Sequence, residues 1–286
     1  MNKIRFSCEQ YAWVMAGCIK PEEPYYDRFA HISQVVGQAG FAGFEPIDKF
    51  LYSHYDSERL ASALAGGKIE LSSVVLLDDW LSPQETEAER AAADRLIELL
   101  ARHFPKAVLM LCQMPTTRPD ADAELKTRQD NLIACINEIS RRAAGRGLKC
   151  SYHPNSPESS IWRTQSDYER LLPMLDAKVL GWTPDVGHMA ICGMDPRKMM
   201  CDYRSLVNHV HYKDMSAKLD WALMGEGVID FIGITQDLVA TGYQGWIVVE
   251  DECERAVHEP DQVTQECGDY VSRVLKPIVA KQACHS

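Results

Sequence analysis

The chain has 286 residues, with 30 Lys and Arg against 41 Asp and Glu, a formal net charge of −11. That balance opposes a nucleic-acid grip, which needs a basic face to displace phosphate counterions, and it disfavours an anionic membrane surface. Hydrophobic residues are 46% and charged residues 25%, the mix of a soluble globular protein, and no apolar run reaches the roughly 18 residues of a spanning helix.

Taken in chain order, the first seventeen residues, MNKIRFSCEQYAWVMAG, lack a long apolar core followed by a small-residue cleavage site. No signal peptide is expected, and the protein reads as cytoplasmic. Short apolar runs then alternate with longer helical patterns. The candidate strands are Ile4–Cys8, Phe41–Glu45, Ile69–Leu77, Ala107–Cys112, Leu148–His153, Val179–Asp185, Val207–Tyr212 and Trp246–Glu250. Runs such as SSVVLL, AVLML and WIVV are almost continuously apolar, as parallel strands buried on both faces require. Residues 83–103 open on SPQE, a Ser N-cap with Glu at the capping-box position, and carry Leu96, Ile97, Leu99 and Leu100 on a face. The segment 125–145 spaces Leu132, Ile136, Ile139 and Ala143 helically, with Gly145 as its stop.

Eight β/α alternations predict a single (β/α)₈ TIM barrel over residues 1–286, with a doubly wound open sheet as the alternative. In a barrel the chemistry sits where strands end, on one face. The candidate strands end on Glu45, His153, Asp185, His211 with Lys213, and Glu250. A mixed Asp/Glu/His set suits Mn²⁺, Mg²⁺, Co²⁺ or Zn²⁺, and the absence of any CxxC pair opposes a structural zinc site. Asp185, His211 and Glu250 are the best ligands. Each has a plainer alternative, a helix-capping Asp or a satisfied core His, but three consecutive strands converge on the metal assignment.

The stretches FAGFE, GLKCSYHP, VLGWTPDVGH, NHVHYKD, MGEGVIDF and GYQGWIVVEDE carry a family likeness. Their D-x-G-H, H-x-H-x-K-D and G-x-G-x-x-D-F patterns resemble the xylose-isomerase-like TIM-barrel superfamily of sugar isomerases and epimerases, and within it the inosose (2-keto-myo-inositol) dehydratase branch. The resemblance implies a divalent metal, foremost Mn²⁺, on Asp185, His211, Glu250 and the residue ending the fifth strand, here His153. Epimerase branches carry a Glu there, so a balanced pair of carboxylate bases is lost, and β-elimination needs no such pair. The likeness thus implies a carbon–oxygen lyase acting on a keto-cyclitol or keto-sugar. A sibling branch that cleaves 3-oxo-glycosides by elimination needs the same atoms, and a ketose 3-epimerase or aldose–ketose isomerase is the alternative. The dehydratase HHH run is His153-Pro154-Asn155 here, followed by a longer loop, SPESSIWRT.

In this scheme His153 or Glu250 removes the α proton, and His188 or Glu45 assists the leaving oxygen. Lys213 helps neutralise an oxyanion, unless strand alternation turns it to the wall to pair with Asp214. Trp13 and Trp162, in loops after strands, are candidates for stacking on a sugar ring, whereas Trp246 reads as core and Arg163 as a solvated surface residue. GEGVIDF reads as a turn before a helix, short of a phosphate-binding loop. The ten cysteines, Cys192 and Cys201 among them, read as buried packing thiols of a reducing compartment. The charge and small ligand set oppose a DNA-repair endonuclease, and the intact ligand set opposes a silent binding module. The partners expected are a small-molecule substrate and, compatibly, further copies of the chain.

Overall fold

The computed structural model describes residues 4–19, 26–51 and 57–282. The chain divides into two compact units, Met1–Ser72 with Asn208–Ser286, and Ser73–Val207. The first unit contributes β1 (Ile4–Glu9), β2 (Gly43–Glu45) and β3 (Glu70–Leu71). The second contributes β4 (Ser73–Asp78), β5 (Val108–Gln113), β6 (Lys149–His153) and β7 (Leu180–Trp182). The chain then returns to the first with β8 (Val210–Tyr212), β9 (Asp214–Met215), β10 (Trp221–Ala222) and β11 (Gly245–Val249). One sheet runs β3-β2-β1-β11-β8 and the other β4-β5-β6-β7. Every pairing within these two sheets is parallel.

The apolar runs explain the sheets. All six residues of β5, VLMLCQ, are buried, which a strand covered on both faces demands. Fully burying each such Leu, Val or Met side chain contributes on the order of 1.5–3 kcal/mol. Helix Glu87–His103 buries Leu96, Ile97, Leu99 and Leu100, and helix Asp122–Ala144 buries Leu132, Ile136, Ile139 and Ala143. These are the faces expected from the spacing.

Several boundaries differ from expectation. Ile69–Leu77 is two strands, separated at Ser72, whose amide and hydroxyl both donate to the Phe44 carbonyl. The first helix of the second unit is capped by Thr86, not Ser82, through a complete Thr86/Glu89 capping box. Gly145 does end the next helix, but in right-handed geometry, and the left-handed turn falls on Gly147 at φ 79°. The expected strand Val179–Asp185 stops at Trp182, because Asp185 is already the N-cap of helix Val186–Ile191. The antiparallel pair β9–β10 escaped the sequence reading, since two residues per strand leave no period to detect.

The cysteines are unbridged among the described residues, and Cys8, Cys112, Cys135, Cys150, Cys253 and Cys267 are buried as expected. Cys192 is half-buried and Cys201 exposed, which corrects the packing assignment for Cys201. Cys284 lies outside the described residues. No helix among the described residues is long and apolar enough to cross a membrane.

Candidate active site

In the first unit, strand alternation sets His209 and His211 on the same side of the chain, two residues apart. Glu45, at the end of β2, is fully buried and meets both rings. Its Oε1 lies 2.8 Å from His211 Nε2 and its Oε2 lies 3.0 Å from His209 Nε2. The other nitrogen of His211, Nδ1, lies 3.2 Å from Glu250 Oε2. Burial opposes charge on His211, but Glu45 and Glu250 overcome it and push the imidazole up to about 10. Burial likewise opposes charge on Glu45, yet His211 and then His209 hold it well below the usual carboxylate range.

Lys213 extends this cluster. Its Nζ donates to Glu250 Oε1 at 2.9 Å and to Glu252, and stands 4.2 Å from the centroid of the Trp221 ring. Burial pushes Glu252 up to about 7, with Glu250 adding to the rise and Lys213 opposing it. Glu9, at the end of β1, is also raised well above the usual range, first by burial and then by Glu250 and Glu45. Lys213 therefore faces carboxylates at the strand ends. Asp214, the alternative partner read from sequence, accepts the backbone amides of Met215, Gly225, Gly227 and Ile229. A Cβ on Gly227 would lie 2.2 Å from Asp214 Oδ1, and Gly225 sits at φ 88°. The MGEG turn is thus wound around a carboxylate and leads into helix Phe231–Ala240, capped by Asp230, as a turn before a helix should.

In the second unit, Asp185 is the helix cap that was its plainer reading from sequence. Its Oδ1 accepts the His188 amide at 2.7 Å as a helix cap, while Oδ2 lies 3.5 Å from His153 Nε2. The His153 and His188 rings meet edge to face at 5.6 Å. His153 Nδ1 lies 3.6 Å from Cys112 Sγ, and His188 Nδ1 lies 2.6 Å from Ser156 Oγ. All these groups are buried. A buried imidazole beside a buried carboxylate is a pre-formed place for a proton or a cation.

The loop after β6 is sewn down by its own polar groups. Asn155 Nδ2 donates to the Gln113 carbonyl at 2.8 Å, Arg163 Nε to the Ser156 carbonyl at 3.0 Å, and Arg118 to the Ser160 carbonyl at 2.9 Å. Arg163 is therefore a half-buried loop staple, which corrects its surface assignment. Trp162 is fully buried in this loop. Trp13 is buried in helix Tyr11–Met15, with its indole N–H donating to Asp261 at 2.7 Å and its ring edge-on to Phe44. Trp246 is core, as read from sequence, with the Arg5 guanidinium 4.0 Å over its ring.

Sequence reasoning missed His209, Glu252, Cys112 and Ser156 as parts of these clusters. His209 and Glu252 carried a signal, each two residues from a strong candidate on an extended segment. Cys112 closed a candidate strand but was read as a packing thiol, and Ser156 carried no signal, because its contact depends on a tertiary neighbour 32 residues away.

Comparison with known proteins bears on the family and the fold. The inosose dehydratase of Geobacillus thermodenitrificans (strain NG80-2) is 24% identical over 295 residues, spanning 94% of this chain and 97% of that protein. Among solved structures, an IolI protein with a binding zinc atom superposes with a TM-score of 0.72 at 12% identity, over 97% of this chain and 98% of that one. A D-psicose 3-epimerase with D-tagatose from Clostridium cellulolyticum H10 gives 0.69 at 16%, over 95% and 99%. The family described as xylose isomerase-like TIM barrel matches residues 34–270. Its fold is the barrel expected from the β/α alternation, and this chain belongs to the xylose isomerase-like TIM barrel family.

Proposed function

We propose that the protein is a divalent-metal-dependent carbon–oxygen lyase, acting on a keto-cyclitol or keto-sugar by enolisation and β-elimination. One observation carries the reading. Buried imidazole–carboxylate pairs, His153 with Asp185 and His211 with Glu250, stand at strand ends in a chain that matches an inosose dehydratase over 94% of its length. Asp185, His211 and Glu250 are the ligand set, and His153 beside Asp185 is the base, with a fourth-ligand role as the alternative. In the family's barrel the C-terminal strand ends share one face, and we read residues 1–286 as one such domain.

The residues fit a cation. Two carboxylates and two imidazoles offset a dication's charge with oxygen and nitrogen donors. Glu45 and Glu250 flank the His211 ring, so the surroundings carry negative charge for a cation to offset. Mn²⁺ is our assignment, and the IolI likeness supports zinc as the alternative. A bound cation supplies Lewis acidity to a ketone oxygen and its neighbouring hydroxyl.

The chain's own groups then move the protons. His153 takes the proton from the carbon α to the ketone, and the electron pair passes to the carbonyl oxygen. His188, oriented by Ser156, delivers a proton to the β oxygen as its C–O bond breaks. Water leaves, and the enol that remains ketonises to a dione; a glycoside loses an alcohol by the same route. The Lys213 ammonium beside Glu250 adds positive charge where the enediolate charge develops. Glu45 has both oxygens on imidazoles, so we assign it to orienting His211, and the leaving-group role falls to His188. Trp162 and Trp13, the stacking candidates read from sequence, are both buried, and Trp13 has its indole N–H committed to Asp261.

Epimerisation is the second reading, supported by the D-psicose 3-epimerase likeness. Incubation with Mn²⁺ and inosose, a 3-keto-glucoside or free ketoses, read by mass spectrometry, separates them. A dione or enone product supports the lyase, and a stereoisomer of unchanged mass overturns it. His153→Ala should abolish elimination while much of the Mn²⁺ binding survives. Full turnover by that variant would remove His153 from the chemistry.

A further inference from the structure

Of the six tryptophans in the chain, Trp13, Trp80, Trp162, Trp182 and Trp246 are buried. Trp221 is the exception: it lies half-buried on β10, and no step of the mechanism above uses it. Its ring centroid stands 4.2 Å from Lys213 Nζ. The strand register explains the contact. In the β9–β10 ladder Met215 faces Trp221 and Asp214 faces Ala222. One residue back along the chain, Lys213 becomes a diagonal neighbour of Trp221, within reach of a long side chain and an aromatic one. Asp214 locks that register, because its carboxylate accepts the amide of Met215 on one strand and those of Gly225, Gly227 and Ile229 beyond the other.

Lys213 has two carboxylates to choose between. Its Nζ donates to Glu250 Oε1 at 2.9 Å and to Glu252. The Glu250 side chain is 9% exposed, whereas that of Glu252 is 18% exposed and reaches solvent further. A lysine stem is flexible and its ammonium strongly hydrated, so water and Glu252 together would draw the charge outward. The Trp221 ring opposes that. Its negative face attracts an ammonium, most strongly where water is excluded, and offers no oxygen to exchange for Glu250. We propose that Trp221 is a positioning residue, whose ring holds the Lys213 ammonium on Glu250 and shields it from water, so that its charge bears on the developing enediolate. The role in enolisation rests on the proposed function, but the hold on Lys213 does not.

Three variants separate the ring's charge from its bulk: Trp221→Phe keeps a π face, Trp221→Leu keeps only cover, and Trp221→Ala keeps neither. The first readout needs no turnover. Each protein is treated briefly with acetic anhydride, and acetylation of Lys213 is compared with that of exposed Lys218 by peptide mass spectrometry. Lys213 should be protected in wild type and in Trp221→Phe, and about tenfold more reactive in the leucine and alanine variants. The second readout is kcat and KM for inosose with Mn²⁺. The leucine and alanine variants should lose kcat by a similar factor with KM nearly unchanged, and phenylalanine should restore most of it, with circular dichroism the same throughout. Protection in Trp221→Leu equal to that in wild type, or phenylalanine failing along with leucine, overturns the proposal. A rise in KM without a loss of kcat also overturns it, because that would mark Trp221 as a substrate contact. If wild type turns over no ketone, the lyase reading falls, and the acetylation contrast still decides whether the ring holds the ammonium.

Discussion

Glu45 shows how much a single side chain can decide without touching substrate. A carboxylate set between two buried imidazoles holds both rings in place: it pairs with His209 Nε2 and lies 2.8 Å from His211 Nε2, which leaves His211 Nδ1 toward Glu250. Outer carboxylates of this type typically contribute about 10–100-fold to metal affinity. Glu45→Gln keeps the size but loses the charge and one acceptor, so Mn²⁺ affinity by calorimetric titration should fall by roughly that factor. Unchanged affinity would return Glu45 to the role of a substrate-facing group. The ligand-type residues themselves were legible in the sequence, because His153, Asp185, His211 and Glu250 each close an apolar run. Their partners were not. The Glu45 contact with His209 joins residues 164 apart, and only the β2-β1-β11-β8 strand order brings them together.

At the scale of elements, the short helix Gln165–Leu171 supports the loop that carries Asn155 and Trp162. Its cap is Thr164, paired reciprocally with Asp167 in a capping box. Burial disfavours the charge of Asp167, but the Thr164 backbone and hydroxyl, the Arg163 amide and the Arg118 guanidinium hold its carboxyl below the usual range. A carboxyl lowered in the folded state contributes stability above its unfolded value, and that stability is lost as pH falls through the folded value. Wild type should therefore lose stability in acid through this group. Asp167→Asn should be less stable at pH 7 by about 1–2 kcal/mol, with a shallower loss below pH 4 in denaturant titrations. Equal acid slopes for the two proteins would remove Asp167 from the pH dependence. The neighbouring helix shows why boundaries were harder to read than faces. SPQE and TEAE both spell a capping box, and the sequence offers no choice between them. The structure gives Glu85 to Arg142 at 2.6 Å, while Glu89 receives the amides of Thr86 and Trp80. Tertiary ion pairing thus withdrew the first cap and left the second.

At the scale of the whole molecule, the proposed ligands come from both compact units, His153 and Asp185 from one and His211 and Glu250 from the other. A cation held by all four would bind only when both units are folded, so binding energy becomes folding energy for the entire chain. At Mn²⁺ about 100-fold above its Kd the gain is about 2.7 kcal/mol, which for a chain of this size corresponds to a rise of roughly 5–10 °C in the melting temperature. Calorimetry should show one transition that moves up as a whole with Mn²⁺ and returns with a chelator. Asp185→Ala and Glu250→Ala, altered in different units, should each abolish most of the shift. A second transition that ignores Mn²⁺, or a full shift surviving either substitution, would mean that one unit holds the metal alone. The proposed four-residue ligand set would then fall, while the barrel fold shown by the family match would stand.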